Sequence, residues 1–516
     1  MTELIGPAGA LTTEVVLQLP GARRHCARVL ADLRAGLTCV WLFPDAEVES
    51  GRADRAVDVV IHGLDDSVEV PRQETRSYAV PVTAAQAAQE PREEHAPEGA
   101  PGFGGPDGAG SAFDIDDGFG DWDPFGLSGR SGGSAPSGGA GFSGGSGLCG
   151  LFEVRSSGTV SPRPAEGPDA EVAVRLAETL NLHGELVSEL VAHADRRTPV
   201  LVVRAWAEAD PLAVSRLVRR FQAVVKEAGL KPGDRPRLLV AARLQDVEAD
   251  TVGLLDRTVS RPHWWWGVWG HLDTATVVAD AVPSVGAGHA HDRMTPGKLI
   301  RHALRCETVV QVAGPDMGLA VLLADTWNGK VKDLAPALRE CCSDPVVEGG
   351  VHGPATSGAA YAHLPEQGLR EAWSAGLVES WEGQIRHSPR AGVAAHGGPE
   401  LEKLVWQAQN RVLLPLIDDA RLGFIELLPR IAVRGTARLV ETYVRQSLRG
   451  ANGSAADLAS MELGELYAAA VHRDIDLTGA QFRQLRTLRL ARNKLAHRDP
   501  LDDALLLDLL DALSGY

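Results

Sequence analysis

The sequence predicts two architectures in one chain: an α/β N-terminal region built on a mostly parallel sheet, and an all-α C-terminal bundle. Three observations predict this. Short apolar runs at Leu37–Phe43, Pro199–Trp206 and Arg235–Leu244 have the length and content of buried strands. Helical patterns separate them, the arrangement that builds parallel sheets. From Pro399 onward the pattern is almost purely helical, with short turns between segments.

Taken in order, Thr13–Gly21 reads as a strand and Ala22–Gly36 as a helix closed by Gly36. The run LTCVWLF is a strand ending at Pro44–Asp45; a helix over Arg52–Gly63 and the strand SVEVP follow. Residues 1–83 thus form the first part of the α/β domain. Residues 84–150 form a disordered Gly/Ser/Pro-rich insert, because so few apolar side chains cannot offset the entropy of ordering it. Its acidic-aromatic island, Phe113–Leu127, is better read as solvated linker than as a docking peptide. Residues 151–290 form the second part of the domain. They contain one amphipathic helix over Ala170–Ala194, a helix over Pro211–Gly229, a packing cluster of Trp264, Trp265, Trp266 and Trp269, and a strand at Thr274–Asp280. Residues 291–398 make a helical connector anchored by Trp327 and Trp381. Residues 399–516 make the bundle. Its first helix, from Glu400, has an apolar face of Leu401, Leu404, Val405, Ala408, Val412 and Leu413. Helices at Thr436–Leu448 and Ala456–Val471 come next. Thr478 and Gln481 form a capping box that opens the following helix, which Asp499–Pro500 ends.

Composition narrows the function. The chain has 516 residues, too many for one core, and 51 basic against 68 acidic side chains give a net charge of −17. That balance argues against a general nucleic-acid coat protein, while leaving room for a local basic site. Six cysteines without a C-x-x-C pair suggest neither a disulfide framework nor a zinc site. With no secretory pattern and no apolar run long enough to span a bilayer, a cytoplasmic protein with no membrane partner is expected.

Lysine is scarce. The first is Lys226, so no lysine-dependent phosphate loop exists upstream of it. Where such a loop would sit the chain reads LPGARRHCARVL. The strand RPRLLVAARLQD ends in Ala-Ala-Arg, without the acidic pair that would hold magnesium. The order of elements resembles a degenerate relative of the STAND/AAA-type signalling ATPases. That resemblance implies a P-loop-NTPase-like fold without the phosphate loop, no ATP hydrolysis and no cofactor. Arg23, Arg24 and His25 at a helix start could attract an anionic ligand, but exposed arginines on the first turn of a helix are the simpler reading. His289, His291 and Asp292 are more simply a polar loop than a metal cluster.

The more specific signal is C-terminal. Arg483, Arg486, Arg489, Arg492, Lys494 and Arg498 lie in a stretch without an acidic residue, a credible site for a phosphate backbone. It ends in RNKLAH. On a regular helix Asn493 and His497 are neighbours, so the amide can orient the imidazole, whereas Arg492 points about 140° away. The dipole at the helix end favours a protonated His497. The Arg-Asn-x-x-x-His string within a helical bundle resembles the HEPN domain, many of whose members are metal-independent ribonucleases of toxin–antitoxin and phage-defence systems. The resemblance implies a homodimer with a composite cleft that acts on RNA. His497 would serve as general acid/base, Arg492 would stabilise the developing phosphorane, and Asn493 would position the imidazole. It equally admits a non-enzymatic signalling or scaffold protein whose bundle only dimerises or binds RNA. In the first case a protein partner or sensed signal would regulate the effector.

Overall fold

A computed structural model describes residues 16–70, 171–194, 199–282, 295–342, 364–389, 398–444 and 455–514. The expected insert, Phe113–Leu127 and the histidine loop at 289–292 lie outside these residues. No helix among the described residues is long and apolar enough to cross a membrane.

The N-terminal elements are α1 (Pro20–Arg34), β1 (Thr38–Leu42), α2 (Asp45–Glu49), α3 (Arg52–His62) and β2 (Ser67–Glu69). After the insert come α4 (Val172–Thr179), α5 (Leu186–Ala192), β3 (Val200–Arg204), α6 (Pro211–Glu227), β4 (Arg237–Ala242) and β5 (Ser260–Trp264). The five strands form one sheet in the order β2-β3-β4-β1-β5, and every pairing is parallel. Val40 sits opposite Val240 on one side and Pro262 on the other. Strands β1 and β3 are buried at every position, as strands covered on both faces must be. Helices α1, α3 and α6 supply Val29 and Leu33, Val57 and Val60, and Leu217 and Phe221 to the same core. Pro262 is tolerated in β5 because that strand lies at a sheet edge. Gly36 ends α1 at φ +79°, and a Cβ there would lie 1.8 Å from the Pro232 carbonyl oxygen, so only glycine fits.

Three sequence expectations change. Within Thr13–Gly21, the described part is a turn, not a strand. Leu19 N–H bonds to Val16 O, and Pro20 starts α1, where its missing N–H costs nothing. Val16, Leu17 and Leu19 are apolar because they pack into the core, not because they alternate across a sheet. Ala170–Ala194 is two helices, since Asn181 adopts φ +54° and Glu185 starts a new one by accepting the Ser188 N–H at 2.9 Å. Thr274–Asp280 is not a strand but part of α7 (His271–Ala281). Its β-branched run buries Thr274, Val277 and Val278 at helical spacing, and Asp273 accepts the Gly270 N–H to open the helix. All four clustered tryptophans are buried.

On β5, His263 is buried 3.1 Å from Asp32 of α1. Burial pushes its imidazole down to about 4, against the pull of Asp32. An unfolded histidine titrates near pH ~6.5, so between there and about 4 the unfolded chain binds more protons and stability falls with pH. The His263→Gln variant should therefore lose less thermal stability than the parent between pH 7 and 4.5, as read from melting curves. An identical slope would rule His263 out as the source.

Among the described residues that follow, the regular elements are helices and one hairpin. Helices α8 (Pro296–Ala313), α9 (Met317–Thr326) and α10 (Val331–Cys341) lead to α11 (Arg370–Ser374) and the antiparallel pair β6 (Val378–Trp381) and β7 (Gln384–His387). Trp327 and Trp381 are both buried in the core around α8–α10. Helix α12 (Pro399–Ile431) is continuous through Pro415 and about 50 Å long. Its start gives Leu401, Leu404 and Val405 to that core, and its end gives Leu413, Ile417 and Phe424 to the next. That next core is completed by α13 (Thr436–Tyr443), α14 (Ala455–Leu458), α15 (Leu463–Val471), α16 (Gly479–Ala496) and α17 (Asp503–Ser514). The stretch expected as one helix over Ala456–Val471 is split, with α15 opened by the Glu462/Glu465 capping box.

Candidate nucleic-acid interface on the C-terminal helices

Helix α16 carries every residue of the expected site up to its own end. It begins at the predicted box: Thr478 N–H donates to Gln481 Oε1 at 3.0 Å, and Gln481 N–H donates to Thr478 Oγ1 at 3.2 Å. Leu485, Leu488, Ala491 and Leu495 are buried and fix the helix in the bundle. At 100° per residue, Arg483, Arg486, Leu490, Asn493, Lys494 and His497 fall within an arc of about 100° on the other side. Arg483, Arg486 and His497 are exposed, as is Leu490, whose 50% exposure puts an apolar side chain amid the cations.

The two arginines outside that arc are held differently. The Arg489 guanidinium lies 4.6 Å over the Tyr467 ring. Arg492 turns toward Glu462, 3.7 Å away, and both side chains are exposed, so this pair holds it weakly. Arg483, Arg486, Arg489 and Arg498 have no carboxylate partner among the described residues, whereas Lys494 pairs with Asp499 at 3.0 Å. His497 N–H donates to Asn493 O at 3.0 Å, but no side-chain hydrogen bond joins the two. The structure thus groups Asn493 and His497 on one face and sends Arg492 to another.

The helix ends in a turn with an unusual occupant. Asp499 N–H bonds to Lys494 O at 3.0 Å and Arg498 N–H to Leu495 O at 3.2 Å, the paired bonds of a Schellman motif. Arg498 occupies its left-handed position at φ +61°, where glycine is usual. In return its guanidinium lies 5.9 Å over the Trp406 ring, whose indole N–H donates to Leu495 O. Arg498→Gly should stabilise the chain by about 1 kcal/mol in urea denaturation while weakening RNA binding. Unchanged RNA affinity would remove Arg498 from the interface.

At the N-terminus, Arg23 and Arg24 are exposed, but His25 is buried and accepts the Trp41 indole N–H at 2.9 Å. The Gly21 N–H of α1 is not open to an anion either, because Asp273 Oδ1 accepts it at 3.0 Å. The first strand among the described residues is β1, so the turn to compare with a phosphate loop is Phe43–Gly51 rather than Leu19–His25. Among the described residues no group of three or more His, Cys, Asp or Glu side chains is placed to hold a metal.

The sequence reading missed Leu490, Tyr467 and Trp406. Leu490 was within reach, since it lies opposite Leu485 and Leu488 on any helical wheel. The two rings come from other helices and carry no local signal. No family model matches the chain, and no curated protein or solved structure is significantly similar to it.

Proposed function

We propose that the chain is a regulated effector whose C-terminal helices form a metal-independent, HEPN-like ribonuclease site completed by a second copy. A degenerate NTPase-like α/β region would serve as its sensor. The observation that carries this reading is the exposed face of α16, where Arg483 and Arg486 lack carboxylate partners among the described residues and share a helix face with a solvent-facing His497. Guanidiniums free of carboxylates are available to phosphates. Leu490 at the centre of that face supports contact with another apolar surface, and an identical face is the economical one.

In the proposed reaction the RNA 2′-hydroxyl attacks the adjacent phosphorus and the bond to the 5′-oxygen breaks. His497 takes the hydroxyl proton and, as the bond breaks, returns it to the leaving 5′-oxygen. Arg492 stabilises the pentacovalent phosphorane, while Asn493 restrains the imidazole. Products are a 2′,3′-cyclic phosphate and a 5′-hydroxyl. The strand order β2-β3-β4-β1-β5, with β1 inside and β5 at the edge, supports the NTPase-like reading of the first region. The turn after β1 carries Asp45, Glu47 and Glu49 and no lysine, which supports a region that does not hydrolyse ATP.

A second reading, a non-enzymatic scaffold whose bundle dimerises or binds RNA, is favoured by the separation of Arg492 from His497 on one helix. Incubating the full chain with structured and single-stranded RNA in EDTA separates the two. Cleavage with cyclic-phosphate ends, lost in His497→Ala at unchanged melting temperature, supports the ribonuclease. Binding without cleavage supports the scaffold.

A further inference from the structure

A cavity of about 790 Å³ opens at the carboxyl ends of β1 and β5, far in sequence from α16. Pro44 and Trp265, the residues that leave those two strands, line it, together with residues of α9, α11 and the β6–β7 hairpin. The chain leaves β1 toward β2 at one edge of the sheet and leaves β4 toward β5 at the other, so the topological switch lies beside β1. Parallel α/β sheets bind their ligands outside the carboxyl ends at such a switch, and the volume suits a small organic molecule.

The polar groups decide which molecule. Arg52 is committed to Glu47, with contacts of 2.7 and 3.1 Å. Asp316 caps α9 through the Leu319 N–H at 2.8 Å. Glu379 Oε1 accepts the N–H groups of Gly267 and Ser380, yet burial pushes its carboxyl up to about 8. It therefore adds less negative charge near pH 7 than an exposed carboxylate would. Arg386 differs from Arg52. It has no hydrogen bond and no carboxylate within ion-pair distance among the described residues, only the longer-range pull of Glu400, and its guanidinium lies 4.5 Å over the Trp381 ring. Gly314, at φ +57°, makes room for it, since a Cβ there would lie 2.8 Å from Arg386 Nη1. Burial pulls Arg386 down to about 10, which leaves it charged at neutral pH.

The rest of the wall is aromatic. Trp265, Trp269 and Trp373 all line the cavity and are buried. Trp373 spends its indole N–H on the Trp265 carbonyl, but the Trp265 N–H is buried with no partner, a cost that an acceptor on a ligand would remove. The cavity thus offers one guanidinium without a close ionic partner and a wall of three indoles, with one unpartnered N–H buried in that wall. A nucleoside triphosphate, with about four negative charges, would meet a single free guanidinium beside the Glu47 and Asp316 carboxylates, which is the wrong balance.

We propose that this cavity binds a small aromatic molecule carrying one negative charge, its anionic group on Arg386 and its ring among Trp265, Trp269 and Trp373. The anion can be a carboxylate or the single charge of a cyclic phosphodiester, since a guanidinium pairs with both. This site goes beyond the RNA reading and stands or falls without it.

The test uses the full chain and four probes, 2-naphthoate, indole-3-acetate, 3′,5′-cyclic AMP and ATP, with 2-naphthamide and adenosine as neutral counterparts. Tryptophan fluorescence and saturation-transfer NMR read binding. At least one monoanion should bind with a Kd below about 100 μM, and its neutral counterpart at least about tenfold more weakly. A carboxylate or cyclic AMP as the tighter ligand identifies the source of the charge. Arg386→Gln should erase the tenfold preference. Trp265→Phe, which keeps a ring but loses the N–H, should weaken the monoanion at least about threefold should the arginine variant fail to fold. Equal affinity for charged and neutral probes, displacement by ATP, or no binding below about 1 mM would each overturn the proposal.

Discussion

Mixing Arg492→Ala and His497→Ala chains is expected to restore about a quarter of the RNA cleavage that neither variant shows alone. Each single variant should fall by about 10²-fold or more, because each removes a group acting on the reacting phosphate. The restoration follows from α16. Arg492 leans toward Glu462 while His497 projects from the helix end on another face, and the helix is regular between them. In one copy the two groups therefore point apart. In the proposed two-fold dimer each cleft would take Arg492 from one chain and His497 from the other. Random exchange makes half the dimers mixed, and each mixed dimer has one intact cleft of two. Cleavage assays after co-refolding check this. Loss of activity in the single variants without recovery on mixing would place both groups of a site in one chain.

Arg204→Ala is expected to cost about 3 kcal/mol of folding stability, the largest single loss among surface-proximal polar groups in the α/β region. Arg204 ends β3, is 5% exposed and meets Asp54, Asp58 and Glu69 at 2.6, 2.7 and 2.6 Å. It thereby ties α3 and β2 to the sheet. Removing it leaves three carboxylates facing one another beside a buried strand end. Each is about a third exposed, so water relaxes part of the repulsion and the loss stays at the low end of the range for broken buried pairs. Arg204→Lys should recover only part of it, because one ammonium cannot fork to three acceptors. Urea denaturation followed by circular dichroism gives the values. A loss below about 1 kcal/mol would mean the cluster is a solvated surface feature.

Legibility in the sequence tracked how local the determining interaction is. The strands β1, β3 and β4 were readable because burial on both faces demands continuous apolar runs. The α16 start was readable because Thr478 and Gln481 satisfy each other within one turn. The strand expected at Thr274–Asp280 failed where a distant contact overrode β-propensity. Asp273 is drawn into the core at 1% exposure by the N–H groups of Gly21 and Gly270, and a helix start comes with it. The hairpin β6–β7 was missed because its four-residue strands fall below any periodicity that a pattern can show.

The same division holds for function. Chain order alone put a basic stretch beside RNKLAH in a protein of net charge −17 and left the first 225 residues without a lysine. Composition and spacing suffice for such statements, because charge and helical phase are local properties. Only the tertiary structure decided which of those cations are free. It sent Lys494 to Asp499, Arg492 toward Glu462 and Arg489 onto Tyr467, and left Arg483 and Arg486 facing solvent. It alone placed β1 between β4 and β5, and with that order brought Trp265, Glu379 and Arg386 around one cavity. Trp265 lies more than a hundred positions from Glu379 and Arg386 along the chain, so no window of sequence contains the contacts that join them.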